Sequence, residues 1–100
     1  MTLSTHVLDT ARGEPAAGVR VTLSKDGVTV SEALTDADGR VRDLGPVDGG
    51  RYRLVFDTAA YLGADAFFPS VTVEFTVTDD RHYHVPLLLS PFGYSTYRGS

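Results

Sequence analysis

The sequence predicts an all-β fold, a β-sandwich of about seven to eight short strands with one short helix. Three observations predict it. Apolar residues recur with a period of two along most of the chain, the spacing that gathers them on one side of a strand. Clusters of Gly, Asp and Pro separate the alternating runs at strand-length intervals. Only Thr58 to Ala66 departs from the alternation enough to hold a helix, and Gly63 inside it keeps that helix brief.

Taken in order, Leu3 to Leu8 is a first strand candidate, and Arg12-Gly13-Glu14-Pro15 is a turn. Val19, Val21 and Leu23 then alternate with Arg20, Thr22 and Ser24. Lys25-Asp26-Gly27 turns the chain into a strand over Val28 to Ala33. Asp36-Ala37-Asp38-Gly39 begins like a calcium loop, but the remaining ligands and the closing Glu are missing, so it reads as a tight turn. Arg40 to Leu44 follows as a short strand, with Arg40 and Arg42 on one face, and Gly45-Pro46 through Gly49-Gly50 turns again. Tyr52, Leu54 and Phe56 mark the buried side of the next strand, and Val71, Val73, Phe75 and Val77 that of the one after. Val85, Leu87 and Leu89 form the inner face of the last strand, whose other face carries His82, His84 and Leu88. Pro86 cannot donate to a ladder, which predicts an edge or an irregularity there. An outward leucine beside histidines points to a face covered by another subunit, or to a lone exposed side chain.

The 100 residues suit one domain spanning 1–100. A core this small gains from self-association. Hydrophobic content of 42% and charged content of 22% are those of an ordinary folded domain and argue against disorder. A net charge of -4 gives no general attraction to nucleic acid or to an anionic membrane, and no apolar run reaches the roughly 18 residues of a membrane span. The N-terminus has neither a basic stretch nor an apolar segment of signal-peptide type, and cysteine is absent. These features lead us to expect a cytoplasmic protein without disulfide or thiolate chemistry. Arg98-Gly99-Ser100 is not a peroxisomal address.

The candidates for chemistry are few. His6, His82 and His84 are the histidines. His82 and His84 have a spacing that could hold zinc if His6 or Asp79 supplied a third ligand. Histidine is equally the usual acid or base near neutral pH, so His6 and His84 could act together if their strands converge. A guanidinium on the face of Arg40 and Arg42 could hold a planar anionic or amide-containing ligand through paired hydrogen bonds; the plain alternative is a solvated strand charge. No serine sits in a nucleophile-elbow pattern, and no phosphate-binding loop is present. The tail from Ser90 to Ser100 holds Phe92, Tyr94 and Tyr97, more aromatic than a frayed end, and reads as a segment that packs.

These residues resemble a known family. Ser4-Thr5-His6-Val7-Leu8-Asp9 resembles the N-terminal signature of the 5-hydroxyisourate hydrolases, relatives of transthyretin, and the run from Tyr83 to Ser100 resembles their C-terminal signature. Thr35 to Arg40 is similar to the segment that carries the family arginine. The terminal Tyr97-Arg98-Gly99-Ser100 separates these enzymes from the hormone-binding transthyretins, whereas the Gly and Pro pattern of the middle is shared with many sandwich modules. The resemblance implies a transthyretin (prealbumin)-like sandwich, a homotetramer with sites at subunit interfaces, and no cofactor or metal. It implies hydrolysis of 5-hydroxyisourate to 2-oxo-4-hydroxy-4-carboxy-5-ureidoimidazoline in urate breakdown. Carried over by position, the catalytic set is His6, Arg40, His84 and Ser100, with His6, Arg40 and Tyr97 binding substrate; which histidine is the base stays open. The rival readings are a transthyretin-like carrier without turnover and an accessory sandwich module of a larger protein.

Overall fold

A computed structural model describes residues 2–100; Met1, where the expected domain span begins, lies outside them. The period-two runs become two facing sheets. The first contains β1 (Leu3–Asp9), β2 (Glu14–Pro15), β5 (Arg40–Val41), β8 (Tyr83–Ser90) and β9 (Gly93–Thr96), in the order β2-β1-β8-β9, with β5 also paired to β1. The second contains β3 (Arg20–Lys25), β4 (Val28–Leu34), β6 (Gly50–Phe56) and β7 (Val71–Val77), in the order β4-β3-β6-β7. A single-turn helix, α1 (Ala59–Leu62), connects β6 to β7, and Gly63 ends it at φ 117°. Among the described residues no helix is long and apolar enough to cross a membrane.

The core lies between the sheets. Val21, Leu23, Leu54, Phe56, Val71 and Val77 come from the second sheet, and Leu3, Val7, Leu87 and Leu89 from the first, all fully buried. Truncating one of them, such as Leu87 to alanine, should cost roughly 2–5 kcal/mol through lost transfer energy and the cavity left behind. β3 and β4 are joined by a two-residue loop, with Lys25 paired to Val28 and both Asp26 (φ 53°) and Gly27 (φ 78°) left-handed. That conformation is why Asp-Gly is favoured in such hairpins. Asp9 breaks the apolar alternation of β1, and its carboxylate is satisfied. It accepts from the N–H groups of Ala11 and Arg12, each at 3.0 Å, and from the Tyr61 hydroxyl of α1 at 2.7 Å.

Two features shape the outer face of the first sheet. The first is the parallel pairing of β1 with β8, which sets Ser4 beside His84, His6 beside Pro86 and Leu8 beside Leu88. The second concerns Pro86. β8 is an internal strand, flanked by β1 and β9, so the edge expected from this proline is corrected to the irregularity. Tyr83 N–H and Leu89 C=O both bond toward the β1 side, so the even-numbered residues of β8 direct their backbone groups toward β9. The missing donor of Pro86 therefore faces the place where the β9 ladder stops. Pairs run from Ser90↔Gly93 to Leu87↔Thr96, and pairing resumes only as a bridge between His84 and Gly99. At the gap, the Thr96 hydroxyl donates to the Pro86 carbonyl at 2.7 Å. The chain detours past the proline and returns to lie over His84.

Candidate active site

Alternation along β1 puts Leu3, Thr5, Val7 and Asp9 toward the core and Ser4, His6 and Leu8 on the outer face of the first sheet. The same rule on β8 turns His84 and Leu88 outward. β5 adds Arg40, paired directly with His6. Its placement depends on the turn before it. The Asp36 carboxylate accepts from the N–H groups of Asp38 and Arg40, both at 2.9 Å. Gly39, at φ 73°, is pressed against β1, where its carbonyl accepts from Val7 N–H at 2.7 Å. A Cβ on Gly39 would lie 2.4 Å from the Val7 carbonyl oxygen, so only glycine lets this turn dock and deliver Arg40 to the face. The segment is thus the tight turn expected.

Ser4, Thr5, Arg40, Val41, Arg42, His82, His84 and Ser100 line an open cavity of about 200 Å³. Three of the expected residues, Arg40, His84 and Ser100, therefore meet although they are distant in sequence. His6 stands on the same face beside Arg40, its Nε2 hydrogen-bonded to the Asp38 carbonyl at 2.8 Å. Tyr97 is placed elsewhere in the single chain. It lines a second groove, of about 220 Å³, with Val73, Phe75, Tyr83 and Arg98, and the Arg98 guanidinium stacks 4.3 Å from the Tyr83 ring centre. A larger depression, of about 360 Å³, lies against the second sheet between Arg51, Arg53 and Glu74. Its two arginines are paired with Glu74, and it brings none of the histidines.

His84 is half-buried and held on two sides. Its Nδ1 is hydrogen-bonded to Ser4 Oγ at 2.7 Å. Gly99 N–H donates to its carbonyl at 2.8 Å, and a Cβ on Gly99 would come within 2.6 Å of its ring carbon Cδ2. The tail therefore needs a residue without a side chain where it crosses the imidazole. Burial pushes the His84 pKa below its ordinary value of 6.5, and the charges of Arg40, His6 and His82 push it further down. A neutral ring at pH 7 can accept a proton.

Arg42, expected on one strand face with Arg40, and His82, a candidate zinc ligand by its spacing, also line the cavity, together with Ser4 and Thr5, which no motif singles out. Ser4 Oγ lies 2.8 Å from His82 Nε2, and His82 Nδ1 is hydrogen-bonded to Thr2. The His-Tyr-His spacing was a visible signal for His82. Nothing comparable existed for Ser4, because its place beside His84 follows from a parallel pairing between the two ends of the chain. The third ligands considered for a metal are otherwise engaged: His6 with the Asp38 carbonyl, and Asp79 with Arg81 and Tyr83. Among the described residues no cluster of three or more His, Cys, Asp or Glu has a metal-holding arrangement.

This geometry has known relatives. The model of the HIUase/Transthyretin family matches residues 3–99. A 5-hydroxyisourate hydrolase of Deinococcus radiodurans is 50% identical over an alignment that covers 98% of this chain and 95% of the relative. The solved structure of Klebsiella pneumoniae 5-hydroxyisourate hydrolase superposes with a TM-score of 0.93 at 41% identity, covering 100% of both chains. Sea bream transthyretin in complex with thyroxine superposes with a TM-score of 0.88 at 33% identity, over 97% of this chain and 93% of that one. With near-complete coverage by the family model and this level of identity, the chain belongs to the HIUase/Transthyretin family.

Proposed function

We propose that this protein is a 5-hydroxyisourate hydrolase of urate degradation, opening a cyclic amide of its substrate by attack of water. The observation that carries the reading is the convergence of His84, Arg40 and Ser100 on one cavity, with His6 paired to Arg40 at its edge. Relatives 44–50% identical over 98% of the chain carry the name of that activity.

In this reading a neutral imidazole, His84 or His6, takes a proton from the attacking water and returns it to the leaving nitrogen. Burial and the surrounding cations favour the neutral form of His84. Arg40 holds the planar heterocycle by paired hydrogen bonds and offsets the negative charge that develops on the attacked carbonyl oxygen. The Ser100 hydroxyl hydrogen-bonds the ring. Tyr97 closes over substrate from its neighbouring groove, or from a second subunit. No cofactor enters these steps.

A cavity of about 200 Å³ is smaller than the roughly 300–1,000 Å³ of enclosed ligand pockets. The remaining walls are proposed to come from other copies of the chain, in a cytoplasmic homotetramer of one-domain protomers. The carrier reading is the second candidate, since the thyroxine-bound sea bream protein shares the fold. Against it stands the lining of the cavity, with two arginines and two histidines, which suits a polar heterocycle better than an apolar hormone. Freshly generated 5-hydroxyisourate, made from urate with urate oxidase, separates the two. Its absorbance should decay much faster with this protein than in buffer. Decay at the buffer rate would overturn the enzyme reading.

A further inference from the structure

We propose that Ser4 is a positioning residue for His84, and that with His82 it forms a hydrogen-bond chain that fixes which ring nitrogen of His84 offers its lone pair to the substrate. The role of His84 itself rests on the functional reading above; the chain behind it is a separate claim.

The geometry is that of a relay. Ser4 Oγ sits 2.7 Å from His84 Nδ1 and 2.8 Å from His82 Nε2, and the far nitrogen of His82 meets the Thr2 hydroxyl. A hydroxyl has one proton, so Ser4 can donate to one imidazole only and must accept from the other. Two neutral arrangements satisfy every group. In the first, Ser4 donates to His84 Nδ1, and His82 Nε2–H donates to Ser4. His84 then carries its proton on Nε2, the nitrogen that Ser4 leaves free, and is only a donor there. In the second, His84 Nδ1–H donates to Ser4, Ser4 donates to His82 Nε2, and His82 Nδ1–H donates to Thr2. His84 Nε2 then has a free lone pair and is a base. Passing from the first to the second moves one proton along each of the three bonds toward His84, takes up one proton from solvent at Thr2 and releases one from His84 Nε2, so the chain stays neutral.

The surroundings make this choice consequential. The charges that act on the His84 ring are those of Arg40 on β5, His6 on β1 and His82 before β8, and Arg42 lines the same cavity. Each opposes a cationic ring when charged, so His84 works from its neutral form, in which the tautomer alone decides between acid and base. The ring has little room to turn, because Gly99 crosses its Cδ2 edge and Ser4 is only 8% exposed. With Nδ1 given to Ser4, Nε2 is the nitrogen left for substrate. Water attack on an amide calls for a base first and an acid later, and the chain supports the base form from behind. Thr2 and His82, at its far end, are exposed and can exchange protons with solvent.

The test uses the full chain with Ser4→Ala, Ser4→Thr and His82→Ala, assayed on freshly generated 5-hydroxyisourate. Nitrogen-15 NMR of the imidazoles without substrate reads the tautomer of His84. Ser4→Ala should lower kcat by about 10- to 100-fold, the scale of a small misplacement of a reacting group, with KM little changed. Its His84 signals should move toward the form protonated on Nε2, and Ser4→Thr, which keeps the hydroxyl, should restore most of both. His82→Ala should shift the His84 signals in the same direction, by less. Wild-type kcat in Ser4→Ala, or a loss of kcat with unchanged His84 signals, overturns the proposal. If Ser4→Ala does not fold, the signals of His82→Ala decide it. A wild-type protein inert toward the substrate would remove the functional reading alone, because the NMR comparison still tests the hold of Ser4 on His84.

Discussion

Single side chains in this protein do more than fill strand positions. Asp79 illustrates it in the loop before β8. Its carboxylate accepts from the Arg81 guanidinium at 3.0 Å and from the Tyr83 hydroxyl at 2.9 Å, while Thr78 N–H donates back to that hydroxyl at 3.0 Å. The knot sets the start of β8, one residue before His84. The Arg81 and Tyr83 bonds hold the Asp79 carboxyl down at about 2. Asp9 is lowered as well: burial opposes ionisation there, but the Tyr61 hydroxyl and the N–H groups of Arg12 and Ala11 outweigh it. A carboxyl whose pKa falls on folding adds stability that is complete above its unfolded value of about 4 and is lost as pH drops through the folded value. The carboxylate contribution to urea midpoints should therefore hold steady from pH 7 to 5 and fall between about pH 4 and 2, while the lowered His84 adds a decline that begins near pH 6.5. Asp79→Asn should start lower at pH 7 and show a shallower acid decline. An unchanged decline in that variant would detach Asp79 from acid stability.

At the scale of elements, the turn from Asp36 to Arg40 carries most weight, since it seats an arginine that a two-residue strand could not position alone. Gly39→Ala must adopt a strained left-handed backbone and push its Cβ into the Val7 carbonyl. We expect a loss of about 1–3 kcal/mol in chemical denaturation, together with a drop in turnover beyond what lost stability explains, because Arg40 and His6 shift apart. Wild-type stability in this variant would show that the turn does not bear on β1. The same scale shows what the sequence revealed. The buried alternations in β3, β6 and β8, the Asp-Gly hairpin and the short helix were legible, because each is set by neighbours along the chain. The helix shrank to Ala59–Leu62 and the strand expected over Arg40 to Leu44 to Arg40–Val41. β2 and β9 were hidden, since a bridge of two residues and a tail strand take their form from tertiary pairing. His6, Arg40 and His84 were candidates by residue type, and a family resemblance joined them into one set. Ser4 did not, because only the parallel register of β1 with β8 makes it a neighbour of His84.

Across the whole molecule, one sheet carries the candidate site and the other closes the core behind it. The outer face of the first sheet combines the histidines and Arg40 with half-buried Leu8 and Leu88, an unusual mixture for a surface exposed to water. Phe67, Phe92, Tyr94 and Tyr97 are exposed nearer the chain's end, at 66%, 82%, 43% and 57%. Both features favour association of several copies, and sedimentation at micromolar concentration should return a tetramer that persists in salt, since apolar contact is little screened. A monomer under those conditions would leave the cavity open and count against sites built between subunits.

The most direct measurement is the pH dependence of kcat/KM for 5-hydroxyisourate, in the wild type and in His84→Ala with a matching circular dichroism spectrum. A neutral imidazole as base requires activity to rise with pH through a limb below 6.5, the side to which burial and the neighbouring cations move His84. It also requires the variant to lose that limb along with about 10²–10⁴-fold in rate. A folded variant that keeps wild-type turnover and the same profile would contradict the placement of the chemistry at His84.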